Sequence, residues 1–345
     1  MGLRTYIIRR ILLTIPTLLL LLTLIFLITR VLPGDPVALH FEKKATPEQM
    51  EQMRRQLGLD KPLWEQYTDY LGGLVDINYF LEHGYPNLGK SMQTFEEVGG
   101  QIFSAFPATL ELAIYSMIIA SVVGILLGVA SSKSYNSVPD HLIRGFGTVA
   151  YAIPVFFLGI VFQLIFGVYL HWLPTGLRIN PSITPPHTIT GLYTIDSLLE
   201  GNIIKFLESV KTLILPSLTL GIILSGIFIR LTRTNMLETL RLDFVTAARA
   251  RGLNESTVTY GYALRNAFLP ILTMMGLQFA MLLGGAILTE TTFSWPGLGR
   301  YIVQRINFRD YTAIQGAVVM FGLFVTVVSL IVDLLYAYFD PRIRL

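Results

Sequence analysis

The chain has no cysteine, so no part of its 345 residues can be held by a disulfide. It is also short of charge. Asp, Glu, Lys and Arg make up 14% of the residues, where a soluble domain carries about a quarter. Its five histidines, His40, His83, His141, His171 and His187, show no His-Glu-x-x-His or comparable ligand spacing, and no metal site follows from them. A Gly-x-Ser-x-Gly elbow is missing too, and with it any catalytic serine of that kind.

What the chain has in abundance is apolar sequence: 52% of its residues are hydrophobic and its mean hydropathy is +0.58. Uncharged runs occupy 11–29, 112–132, 145–177, 212–229, 266–289 and 311–332. Each can cross a bilayer core of about 30 Å, which needs roughly 20 helical residues. These runs predict an all-α integral membrane protein with six transmembrane helices. Pro154 and the "HWLPTG" turn at 171–176 place the end of the third helix near Leu170. Residues 1–30 resemble a signal peptide in carrying Arg9 and Arg10, but their uncharged stretch is long. "RVLPGDP" after it lacks a small-x-small cleavage site, so a retained first helix is expected. The expected order is a helix at 1–30, an extracytoplasmic segment at 31–107 and a five-helix core at 108–340.

Six spans put both termini on one side. With the N-terminus inside, the segments 1–10, 131–145, 230–265 and 333–345 hold thirteen Lys and Arg, and the short outer loops 171–211 and 290–310 hold six. The 31–107 segment is too long to count in this rule. Both termini are therefore expected in the cytoplasm, as is the 230–265 loop. The net charge of +3 is then a topology signal and not a nucleic-acid footprint.

Ion-driven carriers need ionisable groups inside the membrane. Only Glu111 comes close, in "PATLELA", and it reads as a carboxylate at the outer entry of the second helix. No internal repeat of the kind found in many carriers is evident. A literal Gly-x-x-x-x-Gly-Lys-Ser occurs at 84–91, "GYPNLGKS". A phosphate loop must follow a buried strand, and "DINYFLEH" is none; Pro86 also removes an amide donor. The energy source is expected in another chain. Gln163, Gln278 and Glu111 remain as candidates for lining a pathway, with interhelical hydrogen bonding the ordinary alternative for the two glutamines.

The most particular stretch is "TAARARGLNESTVTYGYALRNAFLP" at 246–270. Leu237, Leu240, Phe244 and Ala248 recur at helical spacing and predict a helix continuing from the fourth span. Gly252 suits its left-handed C-terminal cap. Asn254 or Ser256 can cap a second short helix, and Pro270 suits the first turn of the fifth span. The result is a helix–turn–helix elbow at 243–256, within which Ala247, Ala248 and Gly252 form a nearly bare patch ringed by Arg241, Arg249 and Arg251. Such a patch admits another backbone; a loop packed only on its own bundle is the alternative.

Ala-Ala-x-x-x-Gly at 247–252, followed downstream by Leu-Pro, resembles the cytoplasmic "EAA" loop of ABC importer permeases, with Thr246 in place of the glutamate. Further motifs resemble the B-type dipeptide and oligopeptide permeases: "LPGDP" at 32–36, "FPATLELA" at 106–113, "YAIPVFFLGI" at 151–160 and "WLPTG" at 172–176. "LILPSLTLG" at 213–221, "RLTRTNMLE" at 230–238, "FSWPGLGRYIVQRINFRDYTAIQG" at 293–316 and "VDLLYAYFDPRIRL" at 332–345 continue the likeness, as does "LGKS" at 88–91. The resemblance implies a type I ABC importer permease fold, in the cytoplasmic (inner) membrane. It implies a second homologous permease, two ATP-binding cassette subunits and an extracytoplasmic solute-binding protein as partners, with ATP and Mg held by the ATPase chains and no cofactor in this one. It places Phe244, Thr246, Ala247, Ala248, Arg251, Gly252, Leu253, Asn254 and Glu255 in the ATPase-docking elbow. It leaves Trp295, Pro296 and Gly297 as candidates for facing the binding protein, although Trp295 also suits an interfacial anchor and Pro296-Gly297 a tight turn. Short peptides are the implied substrate. A nickel chelate or oligosaccharide moved by the same machinery is the nearest alternative, and an ion-coupled carrier or channel the alternative of another class.

Overall fold

A computed structural model describes residues 3–31, 37, 46–284 and 286–339. The "LPGDP" motif and the chain beyond 339 lie outside them. The described residues are almost wholly helical, with no strand and one isolated bridge between Lys90 and Glu97. Helix α1 runs Leu3–Val31; three short helices follow at Pro47–Gln56 (α2), Leu63–Leu74 (α3) and Ile77–His83 (α4). Thr46 starts α2 through a capping box with Gln49, which satisfies two otherwise unpaired amides.

Two long helices form the centre: α5, Val98–Lys133, and, after a short α8 at Tyr193–Leu199, α9, Ile203–Thr239. At 36 and 37 residues each is roughly 55 Å long, well over a bilayer core. They pack closely because glycines face side chains across the seam. A Cβ on Gly128 would stand 2.5 Å from the Thr232 Cβ, and one on Gly221 would stand 2.6 Å from the Ile119 Cγ2. Hydrocarbon offers no hydrophobic drive for helix association, so close small-residue packing supplies the attraction. Leu112, Met117, Leu213, Leu220 and Phe228 form the core at this seam.

Between α5 and α9 lie α6, Val138–Ala152, and α7, Val155–Phe162, which continues as a π-helical stretch Gln163–Tyr169. The expected end near Leu170 holds. The expected continuous third helix does not: its halves bend by 101° at Ile153–Pro154. Pro154 lacks an N–H and forces Ile153 into extended backbone, at φ −73° and ψ 129°.

The last third contains α11, Leu264–Leu283, two short helices at Ile287–Thr292 (α12) and Leu298–Asn307 (α13), and α14, Tyr311–Phe339. Among the described residues five helices are long and apolar enough to span, and the bent pair, taken as one span, gives a sixth. α1 packs on α14 through Leu22, Ile25 and Val319, while Leu12, Leu20 and Ile28 stay exposed, as a lipid-facing surface requires.

Candidate functional site

The elbow begins where α9 ends at Thr239. A turn through Leu242 breaks the continuation expected from the apolar spacing, and a separate helix α10 covers Asp243–Ala250. Gly252 adopts φ +78°, the left-handed cap that glycine takes without steric cost. Asn254 then accepts from the Thr257 amide at 2.7 Å and starts the next turn. That turn is π-helical, Thr257–Ala263, and runs straight into α11. Pro270 therefore lies inside the fifth helix and not in its first turn.

Val245, Ala248 and Val258 are buried together, with Phe244 and Leu253 packed on them. Ala248 thus faces its own bundle, which corrects its expected place in the bare patch: at 4% exposure it closes the elbow's inner face. Thr246, Ala247, Arg251, Gly252, Asn254 and Glu255 are exposed. Arg249 ties the two limbs by a bidentate pair with Glu255, at 2.8 and 3.3 Å. The hydrogen bonds from Arg249 hold the Glu255 carboxyl below its usual range. The elbow is a knob with a packed inner face, a braced turn and a small-residue outer surface.

At the opposite end of the bundle lies a polar network that the residue patterns did not anticipate. Glu111 sits well inside α5 and is 2% exposed, so the reading as a helix-entry carboxylate is wrong. α5 starts at Val98, four turns before the uncharged run, because Pro107 is accommodated within it. Arg178 reaches Glu111 at 3.0 and 2.6 Å, stacks 3.7 Å from the Tyr193 ring and donates to the Gly191 carbonyl at 2.6 Å. Thr194 adds its amide and hydroxyl to Glu111 at 2.8 and 2.7 Å. All four acceptor contacts of this carboxylate are made, as a buried charge requires.

Glu290 is a second buried carboxylate. Burial pushes its carboxyl up, and hydrogen bonds from the Arg300 amide and Thr109 oppose that shift. From α12 its side chain reaches the start of α13 and satisfies an amide that a helix N-terminus leaves free. A third, Asp310, accepts from Ser91, from the Met92 amide at 3.1 Å and from the Ala313 amide at 3.2 Å. "LGKS" is therefore a clasp onto the start of α14. The helix α4 precedes it, where a phosphate loop would need a strand.

The remaining candidates divide. Trp295 is 1% exposed and donates to the Ala108 carbonyl at 2.8 Å. Gly297 is buried with no room for a Cβ beside Glu290, and Pro296 alone of the three is exposed. Trp295 and Gly297 are thus core residues, neither interfacial anchor nor outward-facing. Gln163 donates to the carbonyls of Thr175, at 2.5 Å, and Thr292, at 3.0 Å, the ordinary interhelical role. Gln278 is half-buried and donates to the Met274 sulfur on its own helix, at 3.7 Å. The lone charges Arg178 and Glu290, each set in a nearly uncharged stretch, were the available signal for the network.

A bundle of apolar spans with a braced knob at one end and a locked polar cap at the other is the architecture of a multi-pass membrane protein. Residues 120–345 match the family described as "Binding-protein-dependent transport system inner membrane component", and residues 3–113 match the N-terminal region of such membrane components. The chain belongs to this family. It is 40% identical over 339 residues to the dipeptide transport system permease protein DppB of Alkalihalophilus pseudofirmus, covering 98% of this chain and 99% of that one. It is 39% identical over 342 residues to the protein of the same name from Escherichia coli, covering 98% of each. The glutathione transport system permease protein GsiC of Escherichia coli is 37% identical over 339 residues, covering 98% of each. Among solved structures, the inward-facing MetNI methionine ABC transporter shares the fold, with TM-score 0.53 and 14% identity over 70% of this chain and 97% of that chain.

Proposed function

We propose that this chain is the permease subunit of an ABC importer that moves short peptides across the cytoplasmic membrane. The observation that carries this reading is the similarity to dipeptide permeases, which runs the length of both chains. Both termini and the 243–256 elbow face the cytoplasm, in keeping with the Lys/Arg bias of the inner segments. A second, homologous permease closes the pathway, and an extracytoplasmic solute-binding protein delivers the peptide. Two ATPase subunits supply ATP and Mg, which this chain does not bind itself. They seat the exposed face of the elbow, Thr246, Ala247, Arg251 and Gly252. ATP drives import by favouring one arrangement of the helices over another, and the elbow is where that bias enters.

The test is Gly252→Trp in the complete system. An added Cβ meets nothing within 4 Å, but the left-handed φ of +78° strains any side chain there by about 1–2 kcal/mol, so membrane insertion of the variant is verified before uptake is read. Co-purification of the ATPase subunits and dipeptide uptake should both fall to background. Uptake at the wild-type rate would overturn the docking role, and uptake by this chain alone, without ATPase partners, would overturn the importer reading.

A further inference from the structure

The helices α3 and α4 fall in the segment expected outside the membrane, yet α3 packs on α1 below the level at which that span ends. The spanning stretch of α1 is Ile11–Arg30, 20 residues and about 30 Å, which is one bilayer core. No charge falls between Arg10 and Arg30, so position along the helix reads as depth. The Tyr67 hydroxyl meets the Thr23 hydroxyl at 2.6 Å, and the Tyr67 and Tyr70 rings lie 5.1 and 5.7 Å from the Phe26 ring. Thr23 and Phe26 stand about 10 and 6 Å before Arg30 along the axis. A second helix gives a similar depth. Tyr70, Leu71 and Leu74 pack on the cluster of Leu22, Ile25 and Val319, and Val319 stands about 12 Å beyond Tyr311, where the α14 span begins.

The faces of α3 are sorted to match. Tyr67, Tyr70 and Leu74 turn to the spans. Gln66, Asp69 and Gly73 line a polar cavity of about 420 Å³, and Lys61 pairs with Asp69 at 2.6 Å. The remaining sector, Trp64, Thr68, Gly72 and Val75, recurs at helical spacing, is exposed and carries no charge. In α4 the Tyr79 hydroxyl donates inward to Glu97 at 2.9 Å, while Ile77, Phe80 and Leu81 share the exposed face. Trp64, Val75, Ile77 and Leu81 are each more than two-thirds exposed, which marks an interaction surface. Over the same depth α1 exposes Leu20, Leu24, Leu27 and Ile28, so the apolar surface of the span extends to this segment. The medium at that depth is lipid, and a water-soluble partner does not reach it. We propose that α3 and α4 lie in the membrane interface, with their uncharged faces against lipid acyl chains and Trp64 at headgroup level. An interfacial helix sinks its apolar face about 5–10 Å into that boundary, which matches the depth of Thr23 and Phe26, and tryptophan is enriched there. The immersion stands apart from the transport reading; its assignment to the outer leaflet rests on the topology proposed with that reading.

The chain has no cysteine, so a single introduced thiol takes a nitroxide label at one place in it. The experiment is power-saturation electron paramagnetic resonance on the assembled transporter in phosphatidylcholine nanodiscs, with the signal of the identically treated wild-type complex subtracted. Labels at Ile77→Cys, Phe80→Cys and Leu81→Cys should collide with dissolved oxygen severalfold more than with a water-soluble nickel chelate, as should the lipid reference Leu20→Cys. Labels at Asn78→Cys and Glu82→Cys, on the polar side of the same helix, should show the opposite preference. All five sites are exposed, and only complexes that elute as wild type are read. Preference for the nickel chelate at Ile77, Phe80 and Leu81 would place that face in water and overturn the proposal. Exclusion of both reagents from those three sites would mean that protein covers it, a second permease included, and would overturn the proposal equally. The side is read separately, by a membrane-impermeant maleimide added to spheroplasts carrying Glu82→Cys. Labelling without permeabilisation supports the outer leaflet. Labelling only after permeabilisation would overturn that assignment and the topology reading, and leave the lipid contact standing.

Discussion

Replacing Arg178 by alanine removes the only cation paired with Glu111 among the described contacts and leaves that carboxylate buried. Glu111 is 2% exposed and Arg178 7%, so water cannot take over the lost contacts. Two hydrogen bonds to Glu111, one to the Gly191 carbonyl and the stacking on Tyr193 disappear together. Breaking a buried pair from one side costs about 3–5 kcal/mol, because the survivor is an uncompensated charge. Removing both charges is a different perturbation. Glu111→Leu with Arg178→Met strips the charge and leaves the Thr194 amide and the Gly191 carbonyl without these partners, at about 1–3 kcal/mol each at most. The double variant should therefore be no less stable than Arg178→Ala, and well short of the sum of the two single losses. Steric trapping in lipid discs measures these unfolding free energies directly. An Arg178→Ala variant within about 1 kcal/mol of wild type would refute the reasoning, as would a double variant whose loss equals that sum.

Other outcomes follow from the same coordinates. Gly128→Val should destabilise the α5–α9 seam by about 1–3 kcal/mol or more, since its Cβ meets Thr232 at 2.5 Å. Gly72→Ala, in α3 with nothing within 4 Å, should be neutral or stabilising by up to about 1 kcal/mol, and the same unfolding assay compares the two. Asp196 is pushed up by burial, but hydrogen bonds from Thr190, Ile189 and Gly191 outweigh this and hold its carboxyl below the usual 3.8. Its contribution is complete above about pH 4 and lost as the pH falls through the depressed folded value, so proteolysis of the 178–196 loop should rise only in strong acid, and in Asp196→Ala it should already be raised at neutral pH. If that loop resists protease equally at every pH in both proteins, the assignment is wrong.

The spans were legible because lipid demands long uncharged runs, and a hydropathy count finds them. Gly252 and Asn254 were legible as well, for a left-handed cap and an amide acceptor are local requirements written in single residues. Pairings between distant segments were not. Glu111 and Arg178 are 67 residues apart, and Asp310 and Ser91 are 219 apart, so no periodicity links them. Trp295 has the composition of an interface anchor, and only the packing of α5 against the 293–299 turn turns its indole inward to the Ala108 carbonyl. Ala248 fell inside the elbow's apolar face for a similar reason: small residues suit both a docking surface and a tight core.

The sequence by itself determined a helical, multi-pass membrane protein, the uneven distribution of its basic residues among the loops and the position of a capped elbow. Each of these rests on local composition: hydrophobic length, charge bias and the backbone preferences of glycine, asparagine and proline. Only the tertiary structure decided that the third span is bent by 101° and that the 171–211 loop is locked onto α5 by a buried ion pair. Those features depend on which faces meet, and contacts between residues far apart in the chain are fixed by packing rather than by any neighbour in sequence.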